Sequence, residues 1–158
     1  MAETNNKSAK LVYQTLCEAL DERGWNYEKE EDKLLVHFSV RGDDLPMNFI
    51  IFVDEKRDIL RLMSPMDYKF PEDKRVEGAC AACIASFGMA NGNFDYDLSN
   101  GRVSFRINTY FKGSLLSKNL IKYMIDCACA MVDHYNDKFF MLGKGMLSLA
   151  DFIEKENA

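Results

Sequence analysis

The sequence predicts an α+β fold: an antiparallel β-sheet with helices packed on it, in the order α-β-β-β(-β)-α-β-β-α-α. Three observations carry that prediction. Apolar and polar residues alternate in successive short runs, such as Leu34, Val36, Phe38, Val40 and then Met47, Phe49, Ile51, Val53. The connections between these runs are too short for the crossovers that parallel pairing needs. Helical periodicity is segregated from the strand runs rather than interleaved with each of them.

The elements follow in order. Residues from about Thr4 to Arg23 read as an amphipathic helix, with Val12, Leu16, Ala19 and Leu20 at helical spacing and Gly24 as its stop. Trp25 and Tyr27 alternate with polar residues and start a first strand. The alternating sets at 34–40 and 47–53 are joined by the turn Arg41-Gly42-Asp43-Asp44, and Ile59 to Met63 add another strand. Pro71 suits the first turn of a second helix, and Glu72, Asp73 and Glu77 suit its positive end. Val76, Cys80, Cys83, Ile84 and Phe87 are expected to form that helix's buried stripe, and Asn91-Gly92 its end. Phe94, Tyr96, Leu98 and then Val103, Phe105, Ile107 flank Asn100-Gly101, which predicts a β-hairpin with a type I′-like turn. Ser114 or Ser117 caps a long third helix carrying Leu120, Ile121, Met124, Ala128, Met131, Val132 and Tyr135. Gly143 and Gly145 break it before a short helix from Ser148 to Glu156.

Length and composition describe one ordered domain spanning residues 1–158, with 47% hydrophobic and 28% charged residues. No repeat, low-complexity run or linker divides it. The net charge of -5 and pI of about 5.1 argue against a binder of nucleic acid that neutralises phosphates, and against docking on an anionic membrane. No apolar run approaches the ~20 residues of a membrane helix. Met1 to Lys10 has no apolar h-region, so no signal peptide is expected. Five cysteines, an odd number in apolar contexts, fit reduced thiols in the cytoplasm.

None of the chemistry-bearing residues forms a catalytic signature. Cys80-x-x-Cys83 would share a helix face, but Cys127 and Cys129 point about 200° apart around a helix axis. The expected role of all these thiols is packing, with no metal and no cofactor. His37 and His134 have no partner spacing that makes a metal site or a triad. Asp95 and Asp97 lie on the outer face of a hairpin strand, and the Glu28–Asp32 acidic run surrounds a turn.

The chain resembles the YbjN family of small bacterial proteins. Three stretches carry the likeness: Pro71-Glu72-Asp73-Lys74-Arg75 opening a helix after a strand, the hairpin from Phe94 to Arg106, and the run from Gly113 to Gly143 with Asp133-His134-Tyr135. It spans about residues 5–145 and leaves 146–158 as an appended helix. Members of that family are similar in fold to type III secretion chaperones, acidic α+β dimers that bind protein segments. The resemblance therefore implies a type III secretion chaperone-like fold, a homodimer, and a non-enzymatic role in binding a protein or peptide partner. A small-molecule sensor with a pocket between sheet and helices is the alternative.

Alternation also assigns a second sheet face. If Val36, Phe49, Ile51 and Phe105 face the helices, then Leu35, His37, Ile50, Phe52, Arg106, Asn108 and Tyr110 face away. That set mixes apolar and polar groups, as partner surfaces do. Leu35, His37, Ile50, Phe52, Arg106 and Tyr110 are the candidate binding residues. The acidic excess lies in residues 1–79, with 17 acidic and 12 basic residues, so the docking place is expected on the first strands rather than on the Asn-Gly hairpin.

Overall fold

The computed structural model describes residues 2–157, with side chains for 7–156. Helix α1 (Ala2–Glu22) leads into strands β1 (Glu28–Glu30), β2 (Leu35–Arg41), β3 (Pro46–Asp54) and β4 (Ile59–Lys69). Helix α2 (Arg75–Phe87) follows, then β5 (Asn93–Asp97), β6 (Arg102–Tyr110), α3 (Lys118–Gly143) and α4 (Leu149–Asn157). The strands form one antiparallel sheet in the order β1-β2-β3-β4-β6-β5. The segment containing α2 carries the chain past the end of β4 to the sheet's far edge, and the hairpin then returns β6 to pair with β4.

Period-two patterning sorts the sheet into two faces. Val36, Phe38, Met47, Phe49, Ile51, Val53, Leu60, Leu62, Phe105 and Ile107 are all buried. They meet Val12, Leu16, Ala19 and Leu20 of α1 and Ile121, Met124, Ile125, Ala128 and Val132 of α3 in a single core. The alternation read from the sequence in β2, β3 and β6 is the alternation observed.

Four local expectations are corrected. The first strand does not include Trp25 or Tyr27; it is the three residues Glu28–Glu30, and Trp25 instead packs edge-on against Phe38 at 5.5 Å. Strand β4 runs on past Met63 to Lys69, across an irregularity at Pro65, whose missing N–H cannot serve the ladder. Helix α2 ends at Phe87 rather than at Asn91-Gly92. The hairpin turn is a four-residue loop, because Asp97 pairs with Arg102 across Leu98 to Gly101. Asp97 organises that loop by accepting from the Ser99 N–H at 2.9 Å and the Asn100 side chain at 2.6 Å. Asn100 keeps a negative φ, whereas a type I′ turn needs positive φ at both central residues.

The long helix starts where one of its two proposed caps stands: Ser117 Oγ accepts from the Leu120 N–H at 3.1 Å. The segment after Gly145 contributes Leu147 and Phe152 to the core. Phe152 of α4 is fully buried and stacks on Phe139 at 6.1 Å, while Glu156 accepts from Tyr135 and Lys138.

Candidate partner-binding surfaces

Two surfaces hold apolar side chains that the fold leaves uncovered. The first is the sheet face opposite the helices. Strand pairing aligns its side chains in rows: Glu30, Leu35, Phe52, Arg61 and Asn108 form one, and Glu28, His37, Ile50, Met63, Arg106 and Asn93 the next. Ile59 and Tyr110 face each other beyond the first row. None of these residues is buried, and Tyr110, at the margin, is 61% exposed. All six candidate residues therefore share this face, and the structure adds Arg61, Met63 and Ile59 from β4. Sequence reading missed those three because alternation alone does not say which strand lies at the centre of the sheet.

Most charges on this face are paired. Arg106 donates to both carboxylate oxygens of Asp95, at 2.5 and 2.9 Å, and these bonds hold the Asp95 carboxyl below its ordinary range. His37 lies 3.4 Å from Glu28 on the edge strand. Asp54 accepts from Arg57 at 2.9 Å. The Arg61 guanidinium lies over the Phe52 ring at 5.8 Å.

The sheet edges are poorly suited to strand addition. Strand β1 is three residues long and entirely charged, a pattern that protects an edge. At the other edge the Phe94 N–H is already taken by Ser86 Oγ at 2.9 Å.

The second surface is α2, and here the sequence reading is overturned. Gly78, Ala81, Ala82 and Ala85 face inward, while Val76, Cys80, Cys83 and Phe87 point out; only Ile84 of the expected stripe is half-buried. Val76 is 70% exposed and Phe87 94%. The reason is space. A Cβ on Gly78 would stand 2.6 Å from Tyr96 Oη and 2.7 Å from the Phe70 ring, so only small side chains let the helix lie this close. The exposed stripe runs into a groove of about 680 Å³ bordered by Met89, Met131, Tyr135 and Ile153.

The five thiols are free. Cys17 is buried and Cys127 and Cys129 are half-buried, and burial pushes the Cys129 thiol up to about 11. Cys80 and Cys83 are exposed, which overturns their assignment to the core. His134 is exposed beside Lys138 and Glu156. Between the sheet and α3 lies a cleft of about 180 Å³ lined by Met47, Met66, Tyr68 and Phe140, below the ~300 Å³ at which small-molecule sites begin. No described helix is long and apolar enough to cross a membrane.

No family model and no curated protein matches the sequence. Two solved structures share the fold. One is a chain of the HopA1-SchA chaperone-effector complex, with a TM-score of 0.53 and 11% identity over 81% of this chain and 96% of that one. The other is a chain of the ExsC-ExsE complex, with a TM-score of 0.53 and 11% identity over 82% of this chain and 93% of that one. The expected type III secretion chaperone-like α+β architecture is thus the one found.

Proposed function

We propose that this chain is a chaperone-like, non-enzymatic protein that holds a segment of a partner protein on the open face of its sheet. The observation that carries this reading is the face itself: two cross-strand rows with Leu35, Ile50, Phe52 and Met63 near their centre and no described helix over them. A merely solvated face would carry more charge at its centre. The fold shared with a chain of a chaperone-effector complex supports the same role. Kinship with the YbjN family and a cytoplasmic location, favoured by five free thiols, belong to this reading.

The test compares Phe52→Asp with Tyr110→Asp. Both side chains reach solvent, so both variants should keep the wild-type circular dichroism spectrum. Phe52→Asp should abolish affinity capture of the partner from native lysate, and Tyr110→Asp should leave most of it. Capture that survives Phe52→Asp but not Tyr110→Asp places the partner elsewhere.

The reading includes a homodimer, with a second copy on α2. Residues 78–94 hold no charged side chain, and the acids that border them, Glu77 and Glu156, are paired with Lys74 and Lys138, so two copies of a chain with net charge -5 meet there with little opposition of like charges. Light scattering at micromolar concentration should report twice the 18.2 kDa chain mass. Phe87→Asp should return the single-chain mass and speed the labelling of Cys80 and Cys83 by a thiol reagent. A single-chain mass for the wild type at high concentration would remove the dimer from this account.

A further inference from the structure

Arg61 stands apart from the other charges of the open face. It is the third residue of β4, a central strand of the sheet and the fourth of five in its row, with Phe52 on one side and Asn108 on the other. Two residues away along the same strand, and so on the same face, are Ile59 and Met63. Among the described residues no carboxylate lies within ion-pair distance of it. Two acids that it influences electrostatically, Asp54 and Asp95, are hydrogen-bonded instead by Arg57 and Arg106. Other acids of the first half stand away from the centre: Glu28 and Glu30 begin the two rows at the β1 edge, Glu31 and Asp32 follow them, and Asp43 and Asp44 lie in the β2–β3 turn. The centre of an acidic chain's open face is therefore locally positive and apolar.

We propose that Arg61 is a specificity-determining residue that binds the side-chain carboxylate of an Asp or Glu in the partner segment, with apolar side chains of that segment covering Phe52, Ile59 and Met63. The inference rests on the open-face reading above and adds the chemistry of what is held there. A guanidinium is the side chain best shaped for a carboxylate, since its fork donates two parallel N–H bonds. Its stacking on Phe52 limits the freedom it would lose on binding. The apolar neighbours exclude water once the segment is seated, which strengthens the charged bond and penalises a segment that leaves the guanidinium buried and unpaired. Selection for an acid here thus works both by gain and by exclusion.

The probe is a phage-displayed library of random 12-residue peptides, selected on the immobilised full chain. Displayed peptides have no free C-terminus, so any carboxylate selected belongs to a side chain. Peptides that fail to bind Phe52→Asp are those using the open face. They should share one Asp or Glu flanked by apolar residues. Synthetic versions, acetylated and amidated at their ends, should lose about tenfold in affinity when that Glu becomes Gln. Arg61→Met should cost a similar factor, and the two changes together should cost little more than either alone. Arg61→Lys, which keeps the charge without the fork, should fall in between and guards against a folding artefact in the Met variant. Open-face peptides without acid enrichment, or with losses below about twofold in both single changes, overturn the role of Arg61 while leaving the binding face intact. If no selected peptide is sensitive to Phe52→Asp, the binding face itself is wrong and the inference falls with it.

Discussion

Gly101 shows how much one residue can decide. Its φ is +76°, and a Cβ there would collide with the Phe70 carbonyl oxygen, while its own carbonyl accepts from the Phe70 N–H at 2.8 Å. Gly101→Ala must therefore strain the backbone and also push the turn away from the main chain at Phe70, and urea unfolding should show a loss of about 2–3 kcal/mol. Gly113 also has positive φ, +70°, but nothing lies within 4 Å of its Cβ position. Gly113→Ala should cost about 1 kcal/mol, and equal losses at the two positions would show that the approach to Phe70 is immaterial. The Asn100-Gly101 pair announced a turn in the sequence. That the turn is four residues long, and that its glycine lies against Phe70, was not legible, because Asp97 and Phe70 impose both from outside the dipeptide.

At the scale of the element, α2 teaches the most. Of its 13 residues only Arg75 and Glu77 are charged, so apolar periodicity offers more than one face to bury. The large side chains looked like the inward ones; the small ones are inward, because Phe70 and Tyr96 leave no room. Ala82→Leu should accordingly cost about 1–3 kcal/mol by overpacking, read from the thermal midpoint. A neutral outcome would mean that the helix can draw back from the sheet. For α3 the local signal was adequate. Ser117→Ala should cost about 1 kcal/mol through loss of the bond to the Leu120 N–H, with Ser114→Ala as the neutral control.

For the whole molecule, charge ties α1 to α3. Glu22 accepts from Lys118 and Lys122, and Arg23 grips Asp126 at 2.7 and 2.8 Å. The bonds from Lys118 and Lys122 push the Glu22 carboxyl down to about 2 from its ordinary 4.5. A depressed folded-state pKa stabilises fully above the unfolded value and is lost as pH falls, so this contribution fades between about pH 4.5 and 2. Asp95, held low first by its bonds from Arg106, acts with the same sign. The Glu22→Gln variant should therefore be less stable than the wild type at pH 7 and equal to it near pH 2. Because Glu22 is exposed, solvent and salt screen the tie, and the gap should narrow as sodium chloride is added. A gap that widens on acidification would reverse the sign and discard the linkage.

The sequence by itself determined the order of the elements and the two faces of the central strands, so that Leu35, His37, Ile50, Phe52, Arg106 and Tyr110 could be assigned together to the side away from the helices. That is possible because side-chain alternation in a strand is a property of each backbone unit and needs no distant partner. Tertiary structure alone decided that β6 joins β4, that Arg61 on the open face has no carboxylate partner among the described residues, and that α2 buries its alanines and displays Phe87. Those outcomes depend on which segments approach and how much space remains between them. Residues far apart in the chain settle that jointly, and no local period records it.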